Sequence, residues 1–177
     1  TPDSYGVTAL ECALKFCSQP GVALDVGCGS QGRFLDLLRN RGFTTEGLDI
    51  SPKMISLATE RSPETIFHTA DVCEWEPSSE YDFISAWDST FHLPLECQAP
   101  VLSKLCRALR SKGVLLFTCG GGPPGEIVGS FHGLEFGYST LGVPEFVRIL
   151  TAEGLSCMHV EYDQYPENHV FIVAVKE

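Results

Sequence analysis

The chain has 177 residues, 44% hydrophobic and 20% charged, which is enough for one domain with a proper core and too short for two. Its 12 Lys and Arg stand against 23 Asp and Glu, a formal net charge of −11 that argues against a phosphate-backbone partner such as DNA. No apolar run approaches the roughly 20 residues of a membrane helix, and the eight cysteines contain no C-x-x-C pair, so neither a membrane partner nor a zinc site is expected.

Strand and helix signals alternate with almost no filler. Residues 6–18 carry Val7, Leu10 and Leu14 at helical spacing, and VALDV at 22–26 reads as a short buried strand feeding a helix over 32–40. A second strand over 44–50 ends at Ser51-Pro52, a helix start: the serine hydroxyl can accept from free N–H groups, and proline needs no hydrogen bond at the first position. The helix 53–61 leads to a third strand at 65–68, and YDFISAW at 81–87 is the fourth. An amphipathic helix over 100–110 and a fifth strand over 114–119 follow. Residues 120–142, rich in Gly and Pro, read as a long loop, and a helix at 144–153 precedes two strands joined by QYPEN. The alternation predicts an α/β fold: a single domain over 1–177, doubly wound around a mostly parallel seven-strand sheet, with helices on both faces and a C-terminal antiparallel hairpin.

In open α/β sheets, ligands bind beyond the carboxyl ends of the strands. There, Gly27, Gly29 and Gly32 have the G-x-G-x-x-G spacing that lets a ligand approach the backbone. Asp49, 20 residues beyond Gly29, is placed to accept from both hydroxyls of a ribose. To this point NAD and S-adenosylmethionine fit equally well. Asp25 separates them, because a pyrophosphate about 5 Å from a carboxylate costs roughly 3 kcal/mol per like-charge pair at an effective dielectric near 20. The methionyl end of S-adenosylmethionine instead carries an ammonium and a sulfonium, and its carboxylate can use Arg33 or the helix N-terminus. Asp71 supplies a third acid, suited to an adenine amino group.

Together LDVGCGSQG, LDIS, ADV, YDFISAW, LRSKGVLLFT and the final hairpin resemble the class I S-adenosylmethionine-dependent methyltransferases, the Rossmann-like seven-strand family, over nearly the whole chain. The resemblance implies S-adenosyl-L-methionine as cofactor, with Gly27 and Gly29 facing its methionyl part and Asp49 its ribose. It further implies that Ile50 flanks the adenine, that Asp71 and Val72 meet its edge, and that Ala86 touches the ligand through its backbone. A nicotinamide-dependent oxidoreductase and a catalytically silent S-adenosylmethionine binder are the rival readings.

The acceptor is less legible. SAWDSTFHLP lacks the Asn/Asp-Pro-Pro-aromatic signature of exocyclic base methylation, and no paired-glutamate loop of protein arginine methylation is recognisable. A small-molecule acceptor is expected by analogy with short members of the family. His92 is the candidate general base, with Asp88 to orient it or bind the acceptor. Trp87 is a candidate pocket wall, its rival role being core packing. The stretch 119–142 is the expected lid and specificity loop, with Glu126, His132, Glu135, Tyr138 and Ser139 as its polar groups. No Lys or Arg occurs from 113 through 147, which favours a neutral or cationic amine, hydroxyl or thiol. Asp163, Tyr165 and His169 read as a polar cluster at a hairpin turn, too near that turn to be assigned to the active face, with metal ligation the minor alternative. The cysteines read as small buried hydrophobes of a reducing, cytoplasmic protein, a metalloid site built from Cys28, Cys73 or Cys119 having little support.

Overall fold

The computed structural model describes residues 5–177. Its first half runs α1 (Val7–Leu14), β1 (Val22–Val26), α2 (Arg33–Asn40), β2 (Thr44–Asp49), α3 (Pro52–Arg61), β3 (Ile66–Thr69) and β4 (Tyr81–Ala86). The second half runs α4 (Leu95–Ala108), β5 (Leu109–Gly120), β6 (Gly125–Phe131), β7 (Leu134–Thr140), α5 (Val143–Ala152), β8 (Leu155–Glu161) and β9 (His169–Lys176). Seven strands form one sheet in the order β3-β2-β1-β4-β5-β9-β8. The first five are parallel, β9 runs antiparallel to β5, and β8 pairs antiparallel with β9. Strand order reverses between β1 and β4, so the loops leaving those two strands diverge and open a crevice at their carboxyl ends.

Alternation along the central strands builds the two sides of the core. Leu24, Ile84, Leu115 and Ile172 pack with Val101, Leu105, Phe146 and Leu150 of α4 and α5. Their neighbours Ala23, Phe83, Leu116 and Val173 pack with Leu10 and Ala13 of α1 and with Phe34 and Leu38 of α2. The expected start of α3 is present: the Ser51 hydroxyl accepts from the Met54 N–H at 3.3 Å, with Pro52 at the first position.

Three elements differ from expectation. Helix α4 begins at Leu95 rather than at Pro100, which lies within its second turn and forfeits one backbone bond without ending the helix. The helix gives way at Leu109 to a strand that extends to Gly120. The stretch expected to be a loop is a β-hairpin forming its own two-stranded sheet, with Phe131 paired to Leu134. Its two-residue turn, His132-Gly133, has φ +49° and +77°, the paired positive angles of a tight hairpin turn whose twist matches its strands. Glycine at 129 leaves room for the Tyr138 ring, which would lie 2.7 Å from a Cβ there.

Candidate active site

The crevice is a cleft of about 540 Å³ at the carboxyl ends of β1, β2, β3 and β4. One wall is formed by Gly27, Asp49, Ile50, Asp71, Val72 and Cys73, and the other by Asp88, Ser89, Thr90, His92, Leu93 and Cys97. Of the predicted cofactor residues, Gly27, Asp49, Ile50, Asp71 and Val72 therefore share one wall. Asp25, Gly29, Arg33 and Ala86 are not among the lining residues.

Gly27 takes φ +74°, and a Cβ there would fall 2.3 Å from Cβ of Ser89, so only glycine lets the β1 and β4 loops meet. Gly29, at φ +57°, faces open space, and a Cβ there would meet nothing within 4 Å. The Gly29 N–H donates to Asp49 Oδ2 and the Ser51 N–H to Asp49 Oδ1, both at 2.9 Å. Asp49 thus ties the glycine loop to the start of α3 while each oxygen keeps a second lone pair. Ile50 is 66% exposed, an uncovered apolar surface on the wall of the cleft. Asp71 accepts the Cys73 N–H at 2.8 Å through Oδ1. Its turn is held by Lys104 of α4, whose Nζ donates to the carbonyls of Val72, Cys73 and Trp75 at 3.1, 3.1 and 2.6 Å. An uncovered isoleucine, backbone room at Gly29 and acceptors at the ends of β2 and β3 together suit an adenosyl ligand.

Asp25 is buried beneath the glycine loop and accepts the Ser85 hydroxyl at 2.6 Å. Burial pushes its carboxyl up to about 7; the Ser85 hydrogen bond opposes the rise, the Asp49 charge adds to it, and the Arg33 charge opposes it. The site therefore has, beneath its glycine loop, an acid whose ionisation is incomplete near neutrality.

On the opposite wall, His92 ends the short 3-10 turn Thr90–His92, and its Nδ1 lies 3.0 Å from the Gly137 carbonyl of β7. A carbonyl only accepts, so Nδ1 carries the proton and the neutral ring presents Nε2 as an acceptor. Phe91 and Tyr138 pack against the ring at 4.7 and 4.8 Å between centroids. His92, Leu93 and Pro94 also border a second cleft of about 310 Å³, completed by Glu126, Ile127, Val128, Gly137, Tyr138 and Ser139.

Several expectations are corrected. Asp88 does not orient His92; its Oδ1 accepts from Nε2 of His169 at 2.8 Å, and Nδ1 of His169 donates to Asp163 at 2.6 Å. His169 and Asp163, read from the sequence as a polar turn cluster not assigned to the active face, are thus joined to Asp88 on the cleft wall, because β9 lies beside β5 and brings its first residue to the end of β4. Trp87 is not a pocket wall: it is 8% exposed and packs against Phe34, Phe171 and His169. The hairpin is no loose lid either. The Ser139 hydroxyl donates to Leu93 O at 2.5 Å, the Leu95 N–H to Glu126 at 2.8 Å, and the Thr140 hydroxyl to Gly120 O at 2.6 Å. Tyr138 faces the second cleft, whereas His132 at the tip and the exposed Glu135 line neither cleft.

Burial by itself favours a neutral His169, but the hydrogen bonds and charges of Asp88 and Asp163 outweigh it and raise its protonation range above the ordinary imidazole value. Its stabilisation is accordingly complete below the unfolded value near 6.5 and lost as pH rises through the higher folded one. His169→Asn is expected to lower the Tm at pH 6 by several degrees, an effect of about 1–2 kcal/mol, and to lose less further stability than the parent between pH 6 and 8.5. Thermal denaturation at the two pH values measures this; parallel losses in parent and variant would reject a charged His169.

A family model described as a methyltransferase domain matches residues 8–120. The chain belongs to that family. The phosphoethanolamine N-methyltransferase of Plasmodium falciparum is 31% identical over 99 residues, covering 54% of this chain and 37% of that protein. The trans-aconitate 2-methyltransferase of Agrobacterium fabrum is 37% identical over 93 residues, covering 51% of this chain and 35% of that protein. The matched stretches thus span only about a third of these relatives' lengths. Among solved structures, an amino pentose methyltransferase of Micromonospora echinaspora with bound S-adenosylmethionine shares the fold at TM-score 0.76 and 18% identity, covering 100% of this chain and 92% of that one. The magnesium protoporphyrin IX methyltransferase of Synechocystis, also with bound S-adenosylmethionine, gives 0.76 at 20% identity, covering 99% and 79%. The cofactor of this methyltransferase domain is S-adenosylmethionine, which the cleft built above fits. Among the described residues, no helix is long and apolar enough to cross a membrane.

Proposed function

We propose that this domain transfers the methyl group of S-adenosylmethionine to a small neutral or cationic amine, hydroxyl or thiol, with His92 as general base. The observation that supports the reading is that Asp49, Asp71 and His92 line one cleft, and that the Nδ1 contact to Gly137 O leaves His92 Nε2 as the ring's acceptor. The cofactor supplies an electrophilic methyl on a sulfonium. In this reading Asp49 holds the ribose hydroxyls, Asp71 and Val72 the adenine edge, Ile50 its face, and Asp25 with Arg33 the charged methionyl end. Gly27 and Gly29 give the ligand room at the backbone, and Ala86 meets it through its own. Asp88, with one oxygen engaged by His169, has lone pairs left to hold an acceptor N–H or O–H. Tyr138 and the apolar Ile127 and Val128 shape the outer, acceptor side.

The named relatives do not choose the acceptor's charge, since an amine and a carboxylic acid both occur among them. The local preference comes from the absence of Lys and Arg between 113 and 147, which leaves the hairpin no cation for a carboxylate. The test is methyl-labelled S-adenosylmethionine offered with separate panels of amines, alcohols and phenols, thiols, and carboxylic acids. Labelled product from one of the first three classes, at least tenfold above the acids, is expected. Comparable transfer to acids would overturn the acceptor class. Tight binding of S-adenosylhomocysteine without transfer to any panel would favour the silent binder.

A further inference from the structure

Two thiols line the cofactor cleft. Cys73 lies on the turn after β3, directly beyond the Asp71-Val72 pair, and Cys97 lies in the first turn of α4. Both line the cleft and both are half-buried, and Cys97 and Asp71 are near enough to the Cys73 thiol to act on its protonation. The approach is fixed on both sides. Cys97, Val101 and Lys104 share one face of α4 by their spacing, and the Lys104 ammonium clamps three carbonyls of the turn that carries Cys73. Neither thiol has a part in the methyl transfer proposed above.

We infer that Cys73 and Cys97 form a dithiol modification site in the cleft, which oxidation by a peroxide closes to a disulfide and so withdraws the cleft from its cofactor. The inference rests on the reading that this cleft holds S-adenosylmethionine. In the first step the Cys97 thiolate attacks a peroxide oxygen; an S–O bond forms, the O–O bond breaks, and hydroxide leaves. Cys73 sulfur then attacks the sulfenic sulfur of Cys97, the S–S bond forms, the S–O bond breaks, and water leaves with the Cys73 proton. In sum, two thiols and one hydrogen peroxide give one disulfide and two waters. Cys97 is the first to react because Cys73 is kept as a thiol: burial, then Cys97 and Asp71 beside it, push it up to about 12. Closing the bond draws the sulfurs to about 2 Å and pulls the 71–75 turn, whose Cys73 N–H is bonded to Asp71, toward α4. The residues displaced are those assigned to the adenine edge.

The experiment treats the full chain with hydrogen peroxide, maps thiols by mass spectrometry of unreduced peptides, and measures S-adenosylhomocysteine affinity before and after treatment. Expected are a Cys73–Cys97 crosslinked peptide, an affinity at least tenfold weaker, and recovery on adding dithiothreitol. Bound S-adenosylhomocysteine should slow the crosslink several-fold by occupying the cleft. Cys97→Ser and Cys73→Ser, each compared with its own untreated affinity, should lose less than twofold. Crosslinks between other cysteines, or oxidation of Cys73 or Cys97 without a bond between them, overturn the site. A Cys73–Cys97 bond with unchanged affinity overturns the withdrawal of the cleft. Failure of the untreated protein to bind S-adenosylhomocysteine defeats the cofactor reading instead, while the peptide map still decides the dithiol.

Discussion

His92→Ala is expected to lower kcat by about 10²- to 10⁴-fold, the usual worth of a positioned general base, while S-adenosylhomocysteine binding falls far less. The prediction follows from the tautomer. Gly137 O can only accept, so it fixes the proton on Nδ1 and leaves Nε2 as the acceptor of a ring that lines the cleft. The same bond also ties β7 to the 90–92 turn, so an alanine variant tests support and chemistry together. His92→Asn separates them, because its side-chain amide can still donate toward Gly137 O but cannot accept a proton. Loss of kcat in both variants, with partial rescue by added imidazole, identifies the base. Near-parental kcat in His92→Asn would reduce His92 to a hairpin anchor. In that case the acceptor reaches the cleft already able to react, and in-line placement alone carries the acceleration.

The second large effect concerns Asp25. Replacement by Asn is expected to weaken S-adenosylmethionine binding about 10- to 100-fold, the worth of one charge-assisted hydrogen bond, while stabilising the ligand-free protein above pH 7. The opposite signs share one cause. The folded protein holds the Asp25 carboxyl at about 7, well above its unfolded value near 3.9. Its contribution to stability is therefore complete below about pH 4 and is lost as pH rises through 7, where a buried charge must form. A cationic ligand compensates for that charge, so parental affinity should rise between pH 5.5 and 7, and the variant should lose the rise. 5′-Methylthioadenosine, which lacks both the ammonium and the sulfonium, should bind parent and variant within about twofold. Thermal shifts and titration calorimetry with the two ligands read all of this. Equal S-adenosylmethionine affinity in parent and variant would show that Asp25 is a buried structural acid and that the cations of the ligand lie elsewhere.

The hairpin shows why part of the site escaped the sequence. Glycines at 125, 129, 133 and 137 dilute every hydrophobic pattern in that stretch, and the prolines before them add to the appearance of a loop. The signal that was available is His132-Gly133, a pair suited to a two-residue turn between segments of matched length. Reading it would have yielded the strands, though not their attachment to Leu93, Leu95 and Gly120, which are side-chain bonds across 20 to 46 residues.

What the sequence determined by itself is what local chemistry and chain order dictate. Period-2 and period-3.6 patterns, Ser51-Pro52 and the glycine spacing were enough for a doubly wound sheet, because each reflects a preference of neighbouring residues. The wall made of Gly27, Asp49, Ile50, Asp71 and Val72 was legible for the same reason: chain order puts the ends of parallel strands on one side of the sheet. The tertiary structure alone decided the opposite wall. The antiparallel return of β9 carried His169 to Asp88, the packing of α4 on the β3 turn set Cys97 against Cys73, and β7 oriented His92. Those partners are 81, 24 and 45 positions apart in the chain, and no local pattern encodes a meeting at such separation. It follows from which strand edge or helix face is left to be buried once the central sheet has formed.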